Sequence, residues 1–327
     1  ERHHGSPDRP VGETEALSVL FIFLDGVGIG PSDPGVNPFL SAEIPTLLSL
    51  LNHRVPTLDS VFEPAPTGEA RNGTLNSMVV PLDPLMGLDG LPQSGTGQTA
   101  LLTGRNAARL YGRHFGPWVP VPLRPLMMEE NVLSRARARG ASCAFANAYP
   151  SQFHHLAWSK RPAGPPLAAK GAGLLARHEG HLGEGTAISS EILNSAWRTR
   201  LGFTRIPEIT PEEAGRNLAR ITREAAFTFF AHYATDTAGH ERKMEAAVAA
   251  LERVDLFLAG VLSVLSSGTL LVVASDHGNI EDVTKGHTRN PVLGIVAGPG
   301  SWELARVASE ITDIPDLILK ALDRDRS

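Results

Sequence analysis

Five short, nearly continuous apolar runs constrain the fold of this chain more than any other feature of its sequence. They occupy residues 17–26, 141–150, 227–236, 269–278 and 291–298. Apolar runs of this length without polar alternation are typical of strands that are covered on both faces. The sheet that they form must therefore lie between layers of helices, since each of its faces needs an apolar cover.

Helical patterns separate these strands and predict a doubly wound α/β fold. Across residues 241–265 apolar side chains recur every three or four positions and form one apolar face. Thr210 and Glu213 form a capping box at the start of another helix. Residues 129–140 end in a glycine that can terminate a helix, and a last helix starts near residue 312. Strands that alternate with helices predict a mostly parallel sheet flanked by helices.

Two regions do not follow this alternation. Residues 53–93 and 151–209 are rich in Pro, Gly and Ser, and their apolar periodicity is weak. We interpret residues 151–209 as a small cap. It would be inserted into a discontinuous core made of residues 15–150 and 210–325.

Composition narrows the class of protein. A chain of 327 residues with 42% hydrophobic residues can bury a large core. The net charge of −5 gives no electrostatic reason to expect nucleic acid or an anionic membrane as a partner. The apolar run at residues 17–24 is too short to span a bilayer. A single cysteine, Cys143, excludes an intramolecular disulfide. We therefore expect a cytoplasmic protein that binds neither nucleic acid nor a membrane. Its oligomeric state stays open.

Acidic side chains and histidines follow three of the predicted strands. They are Asp25 after the first, Asp236 and His240 after the third, and Asp276 and His277 after the fourth. In open α/β sheets, ligands bind beyond the carboxyl ends of the strands. Carboxylates that crowd together repel each other unless a cation lies among them, and mixed Asp and His ligands suit Zn²⁺ or Mn²⁺. The alternative is a polar network that satisfies itself by hydrogen bonds.

A serine stands at the start of a further helical pattern. In "LPQSGTGQTALLTGR", Ser94 precedes "QTALLTG", which has the pattern of the first turns of a helix. The N–H groups and the dipole at a helix N-terminus attract phosphate and favour an alkoxide. Taken alone, Ser94 is most simply a helix cap. Beside a metal cluster it becomes a candidate nucleophile.

These motifs resemble those of the alkaline phosphatase superfamily, and most closely its branch of cofactor-independent phosphoglycerate mutases and phosphopentomutases. "FLDGVGIG" is similar to the first-strand motif of that branch, and "SGTGQTALLTGR" to its nucleophile segment. "DTAGH" and "SDHGNIED", with the later "GHTRNPV", are similar to its remaining metal-binding motifs. The motifs extend over nearly the whole chain in the order of the family, so the resemblance is specific.

The resemblance implies an alkaline phosphatase-like fold and a two-metal enzyme that transfers phosphoryl groups through a phosphoserine. One divalent ion, Mn²⁺ or Zn²⁺, would be held by Asp25, Ser94, Asp276 and His277, and the other by Asp236, His240 and His287. The spacing within the family's motifs favours Ser94 over Thr96 and Thr99 as the nucleophile.

Four basic residues lie close to the motifs in the sequence and could bind the phosphate of a small-molecule substrate. They are Arg105, Arg113, Lys285 and Arg289. The alternative is that they are solvated surface charges.

The chain departs from the mutase pattern in two ways. Gln98 stands where the mutases have a histidine, and residues 151–209 are too few for the large cap of the phosphoglycerate mutases. We therefore favour a phosphohydrolase that acts on a small-molecule phosphate ester. A phosphomutase, a phosphodiesterase and a non-catalytic metal-binding relative remain alternatives. A structural zinc protein is disfavoured because such sites are usually rich in cysteine.

Overall fold

The computed structural model describes residues 17–60, 76–155 and 160–324. Within these ranges six strands form a single sheet. They are β1 (Ser18–Leu24), β2 (Ser77–Leu82), β3 (Cys143–Phe145), β4 (Phe227–His232), β5 (Thr269–Ala274) and β6 (Val292–Ala297).

The strand order across the sheet is β2-β6-β5-β1-β4-β3. Strands β3, β4, β1 and β5 run parallel to one another, whereas β6 is antiparallel to β5 and β2 is antiparallel to β6. An antiparallel edge on an otherwise parallel sheet is common in large α/β proteins. The predicted α/β fold with a mostly parallel sheet is confirmed.

Helices cover both faces of this sheet. They are α1 (Pro45–Leu50), α2 (Ser94–Thr103), α3 (Ala107–Tyr111), α4 (Arg124–Glu129), α5 (Val132–Ala138), α6 (Ser151–His155), α7 (Gly164–Gly171), α8 (Glu179–Gly183), α9 (Ser195–Thr199), α10 (Pro211–Thr222), α11 (Ala234–Glu241), α12 (Met244–Val264), α13 (Ser301–Ala305) and α14 (Ile314–Arg324). The predicted cap of α10 is present, since the Thr210 side chain accepts a hydrogen bond from Glu213 N. In the described ranges no helix has both the length and the apolarity that crossing a membrane requires.

The core consists of two apolar layers, one on each side of the sheet. Phe21 and Phe229 are buried in one layer, together with side chains of α2, α4, α5, α7 and α14. Ile22 and Phe230 are buried in the other layer, with side chains of α1, α10 and α12. Successive residues of a strand point to opposite faces, so strands between two helical layers need apolar residues at every position. This explains the continuous apolar runs of the sequence.

Strand β2 was not predicted, because it lies in the Pro- and Gly-rich stretch at residues 53–93. It pairs with β6 at the edge of the sheet, and its Pro81 is exposed there. A proline cannot donate a ladder hydrogen bond and is tolerated at such an edge. Because β2 and β6 are far apart in the sequence, only the folded chain creates this pairing.

Residues 151–209 contain two differently packed parts. Helix α7 packs against α2 and α4, and its Leu167 belongs to the apolar layer of those helices. Farther along, Leu182, Trp197 and Ile206 form a small apolar cluster of their own. The division into a core and a cap at residues 151 and 209 stays a prediction.

Candidate metal centre and active site

Three neighbouring parallel strands end at the same edge of the sheet, and each leads into an acidic residue. Strand β1 lies between β4 and β5. Asp25 follows β1 directly, Asp276 lies two residues beyond the end of β5, and Asp236 lies in the first turn of α11, after β4. The parallel arrangement therefore brings together three carboxylates that are far apart in the sequence.

An inner cluster, defined as Asp25, Ser94, Asp276 and His277, surrounds the His277 ring. His277 Nε2 lies 2.9 Å from Ser94 Oγ, 3.3 Å from Asp25 Oδ1 and 3.6 Å from Asp276 Oδ2. All four residues are buried, and Asp276 and His277 are fully so. These are the residues that the sequence predicts for the first metal ion.

An outer cluster, defined as Asp236, His240 and His287, lies beside the inner one. His240 Nε2 lies 3.3 Å from Asp236 Oδ2 and 3.2 Å from His287 Nε2. His287 Nε2 is 3.6 Å from Asp236 Oδ1, and the rings of His287 and His277 stack with centroids 4.0 Å apart. The three residues predicted for the second metal ion are thus also brought together, nearer to solvent.

The inner cluster fits a divalent cation, and so does a second group in which His277 joins Asp236 and His287 of the outer cluster. Asp25, Asp276 and His277 each offer a ligand atom within 4.8 Å of the others, and so do Asp236, His277 and His287. Asp25 Oδ1 and Asp276 Oδ2 are buried, and apart from their contacts with His277 Nε2 at 3.3 and 3.6 Å they make no hydrogen bond to a described residue. A single Nε2–H cannot satisfy two buried carboxylate oxygens, so a self-satisfied polar network does not account for this arrangement.

The pKa shifts of the inner cluster show its demand for positive charge. Burial raises the pKa of Asp25, and burial together with the charge of Asp25 raises that of Asp276 well above its usual value. Burial alone would lower the pKa of His277, but the attraction of Asp276 and Asp25 outweighs it and raises the pKa to about 10. The carboxylates thus hold a proton on His277, where a metal ion would supply the charge instead.

Ser94 is the first residue of α2, and its hydroxyl faces the inner cluster. The two neighbouring hydroxyls are engaged elsewhere. Thr99 Oγ1 donates to Gly95 O at 2.7 Å, and Thr96 Oγ1 accepts a hydrogen bond from Phe115 N at 3.0 Å. A Cβ atom at Gly97 would lie 2.9 Å from Asp276 O, so a glycine there lets α2 approach the cluster closely. Of these three hydroxyls, only that of Ser94 contacts a predicted metal ligand.

Part of the chain that carries these motifs is similar to known proteins. A family model described as "Metalloenzyme superfamily" matches residues 202–325. This range includes the whole outer cluster and, from the inner cluster, Asp276 and His277. Curated relatives are 2,3-bisphosphoglycerate-independent phosphoglycerate mutases. The protein from Cereibacter sphaeroides is 32% identical over 127 residues, and the one from Thermomicrobium roseum is 31% identical over 129 residues. Residues 202–325 are therefore similar to a metalloenzyme superfamily, and part of the chain is similar to phosphoglycerate mutases.

Each of these two matches covers 36% of this chain, and they cover 25% and 24% of the relatives. The aligned region therefore spans about a quarter of the curated mutases. Solved structures are similar in fold over nearly the whole chain. The PH0037 protein of Pyrococcus horikoshii has a TM-score of 0.55 at 14% identity and covers 94% of this chain and 97% of its own. The cold-active alkaline phosphatase of a psychrophilic Shewanella has a TM-score of 0.50 at 13% identity, covering 92% and 99%.

The outer cluster is supported by an asparagine that the sequence patterns did not single out. Asn279 Nδ2 donates to Asp236 Oδ1 at 2.6 Å, which fixes the orientation of that carboxylate. Burial by itself raises the pKa of Asp236, but hydrogen bonding to His240 and Asn279 and the charge of His277 lower it to about 2. Asn279 lies two residues after His277 in a Gly- and Asn-rich loop, where the sequence also fits an ordinary turn.

Glu281 is a second supporting residue that the sequence analysis missed. It is fully buried, and its carboxylate accepts hydrogen bonds from Gly28 N at 3.0 Å, Asn279 N at 2.7 Å, Asn290 Nδ2 at 3.1 Å and Thr288 Oγ1. A Cβ atom at Gly28 would lie 2.3 Å from the carboxylate, so the contact requires a glycine there. Glu281 thus ties the loop that carries His287 to the loop after β1.

The predicted substrate-binding residues lie in different places. The structure does not bring Arg105 to the clusters, because it follows the end of α2 farthest from Ser94 and pairs with Glu130 at 2.7 Å. Lys285 lies in the His287 loop, mostly exposed, and pairs with Asp282 at 2.9 Å. Arg289 donates to Gly90 O at 3.0 Å, beside the segment that leads into α2. Arg289 is thus in a position next to the site, whereas Arg105 is not.

Proposed function

We propose that this protein hydrolyses phosphate monoesters through a phosphoserine formed on Ser94. The observation that carries the proposal is the position of Ser94 Oγ, 2.9 Å from His277 Nε2 and next to two buried carboxylate oxygens that His277 alone cannot satisfy. A hydroxyl beside such a cluster can bind a metal ion and act as a nucleophile.

The inner cluster would hold one divalent ion, Mn²⁺ or Zn²⁺, and the outer cluster the other. Bound there, the two cations would lower the pKa of the serine hydroxyl and neutralise charge on the phosphoryl group. Asn279 holds the Asp236 carboxylate in position for this role, and Glu281 holds the loop that carries His287.

Ser94 contributes the nucleophilic step. Its Oγ atom would lose its proton to solvent and form a bond to phosphorus while the bond to the substrate alcohol breaks, and the alcohol leaves with a proton from solvent. A water molecule then takes the phosphoryl group from Ser94, which releases inorganic phosphate. The N-terminus of α2 favours negative charge at Ser94 throughout, because the helix dipole is positive at this end.

Hydrolysis is favoured over mutase activity by the segment at residues 151–209. A mutase must keep water away from its phosphoserine while the intermediate reorients, which requires a closing cap. This segment is short, and its arginines are widely spread: Arg161, Arg177, Arg198, Arg200 and Arg205. The names of the curated relatives support phosphomutase activity as the second candidate.

The test offers three phosphate esters to the protein loaded with Mn²⁺ or Zn²⁺: 3-phosphoglycerate, ribose 1-phosphate and 4-nitrophenyl phosphate. We expect inorganic phosphate as the main product, and its release should depend on Ser94. Clean conversion to 2-phosphoglycerate or ribose 5-phosphate without phosphate release would establish a mutase instead.

A further inference from the structure

A polar cleft lies beside the N-terminus of α2. It has a volume of about 380 Å³ and is formed between residues 89–93 and residues 113–116. This volume lies within the usual range for sites that bind small molecules. No step of the proposed hydrolysis uses the residues that line it.

The segments that form the cleft are joined to both clusters through backbone contacts. Gln93, in its wall, directly precedes Ser94, and a Cβ atom at Gly116 would lie 3.2 Å from Ser94 N. His287 Nδ1 donates a hydrogen bond of 2.9 Å to Pro92 O, which joins the segment at residues 89–93 to the outer cluster. An alcohol group attached to a phosphoryl group at Ser94 therefore has this cleft as a neighbour.

The cleft carries a positive charge that is not neutralised locally. Asp89 lines it but pairs with Arg289 at 3.2 Å, so these two charges offset each other. Arg113 also lines the cleft, and no carboxylate among the described residues lies within ion-pair distance of it. Burial lowers the pKa of His114, so its ring adds no charge at neutral pH.

Aromatic rings support the Arg113 guanidinium. It lies 6.0 Å from the centroid of the Tyr111 ring and 5.9 Å from that of Phe115, and these two rings pack edge to face with centroids 5.1 Å apart. A guanidinium near aromatic faces loses part of its freedom while its N–H groups stay available. Arginine in such a position is suited to bind a carboxylate or a phosphoryl group through two hydrogen bonds.

We infer that this cleft binds a second anionic group of the substrate, a carboxylate or a second phosphoryl group, and that Arg113 is the residue that selects for it. The inference rests on the proposed function and narrows it to phosphate monoesters whose alcohol part is itself anionic. Phosphate esters of neutral alcohols would use the two clusters but gain nothing from the cleft.

The test measures the binding of phosphonates, which cannot be hydrolysed, to the metal-loaded protein by calorimetry. The ligands form matched sets of three to five carbons: alkylphosphonates, ω-phosphonocarboxylates and α,ω-diphosphonates. We expect the ligands with a second anionic group to bind about tenfold more tightly than the alkylphosphonate of the same length. The preference between carboxylate and diphosphonate identifies the anion.

Arg113→Gln should abolish this tenfold preference and leave the affinity for alkylphosphonates unchanged. The control is Arg223→Gln, which removes the same charge from an exposed arginine. Arg223 lies just before the start of β4, whereas the clusters lie beyond the carboxyl ends of the strands. Equal affinities across each matched set, a preference that persists in Arg113→Gln, or no phosphonate binding at all would overturn the inference. Failure of the proposed function is distinct, since it appears as phosphonate binding without any hydrolysis of phosphate monoesters.

Discussion

The side chain of Gln98 joins Asp25 to helix α7. Gln98 Nε2 donates a hydrogen bond of 3.1 Å to Asp25 Oδ2, and Gln98 Oε1 accepts one of 2.9 Å from Gly164 N. A Cβ atom at residue 164 would lie 2.8 Å from Gln98 Cβ, so this contact depends on Gly164. Gln98 thereby occupies one oxygen of Asp25 and leaves Oδ1 directed towards His277. The residue that departs from the mutase pattern is thus a positioning residue for a predicted metal ligand.

Replacement of Gln98 by leucine should weaken metal binding at the inner cluster. The variant keeps most of the side-chain volume but removes the hydrogen bond to Asp25, and loss of such a contact lowers metal affinity by about 10- to 100-fold. The measurement is a competitive titration of one ion per chain against a chelator. Gln152→Leu, on the exposed surface of α6, is the control. Equal affinities in the two variants would refute the role of Gln98.

Removal of single ligands should remove single metal ions. Asp276→Ala should eliminate the ion of the inner cluster, and His287→Ala that of the outer cluster, because each provides a ligand to only one predicted site. Elemental analysis after dialysis measures the metal content of each variant. His53→Ala, an exposed histidine far from the clusters in the sequence, should keep both ions. Full hydrolytic activity in chelator-treated protein would contradict the metal assignment.

Ser94→Ala should lower the turnover of phosphate monoesters by about 10³-fold or more, because it removes the nucleophile. The variant should stay folded and retain at least one metal ion, which circular dichroism and elemental analysis can verify. Thr96→Ala is the matched comparison, since Thr96 bonds to Phe115 rather than to the clusters. If turnover fell in Thr96→Ala and persisted in Ser94→Ala, the nucleophile would have been assigned to the wrong hydroxyl.

His232 should make the stability of the protein depend on pH. It is fully buried at the end of β4, its Nδ1 donates to Ser190 O at 2.8 Å, and burial lowers its pKa to about 4. In the unfolded chain a histidine has a pKa of about 6.5. Below that pH the unfolded state binds a proton that the folded state does not. The contribution of His232 to the free energy of unfolding is therefore complete above pH ~6.5 and is lost as the pH falls towards 4. The total loss is about 3 kcal/mol.

Urea unfolding of the metal-free protein at pH 6.5 and 4.5 measures this effect. The wild-type protein should lose about 2 kcal/mol more than His232→Gln over this interval, since carboxylates titrate alike in both proteins. Parallel losses in the two proteins would show that His232 does not contribute.

The sequence by itself determined the α/β class and the metal-binding candidates. Continuous apolar runs indicate strands between helical layers, because a strand that is buried on both faces has no position for a polar side chain. Asp25, Asp236 and Asp276 stand at the ends of such runs, so their meeting at one edge follows from parallel strands. These are local signals, and each can be read within about ten residues.

The tertiary structure decided what depends on contacts between distant segments. Strand β2 forms because it can pair with β6 at the edge of the sheet. Asn279 supports the outer cluster because the folded chain brings Asp236 to it, and Glu281 is bonded to the loop after β1 because the folded chain brings Gly28 to it. Arg105, close to Ser94 in sequence, is carried away from the site by the length of α2. The roles of such polar residues depend on partners that only the packed sheet and its loops bring within hydrogen-bonding distance.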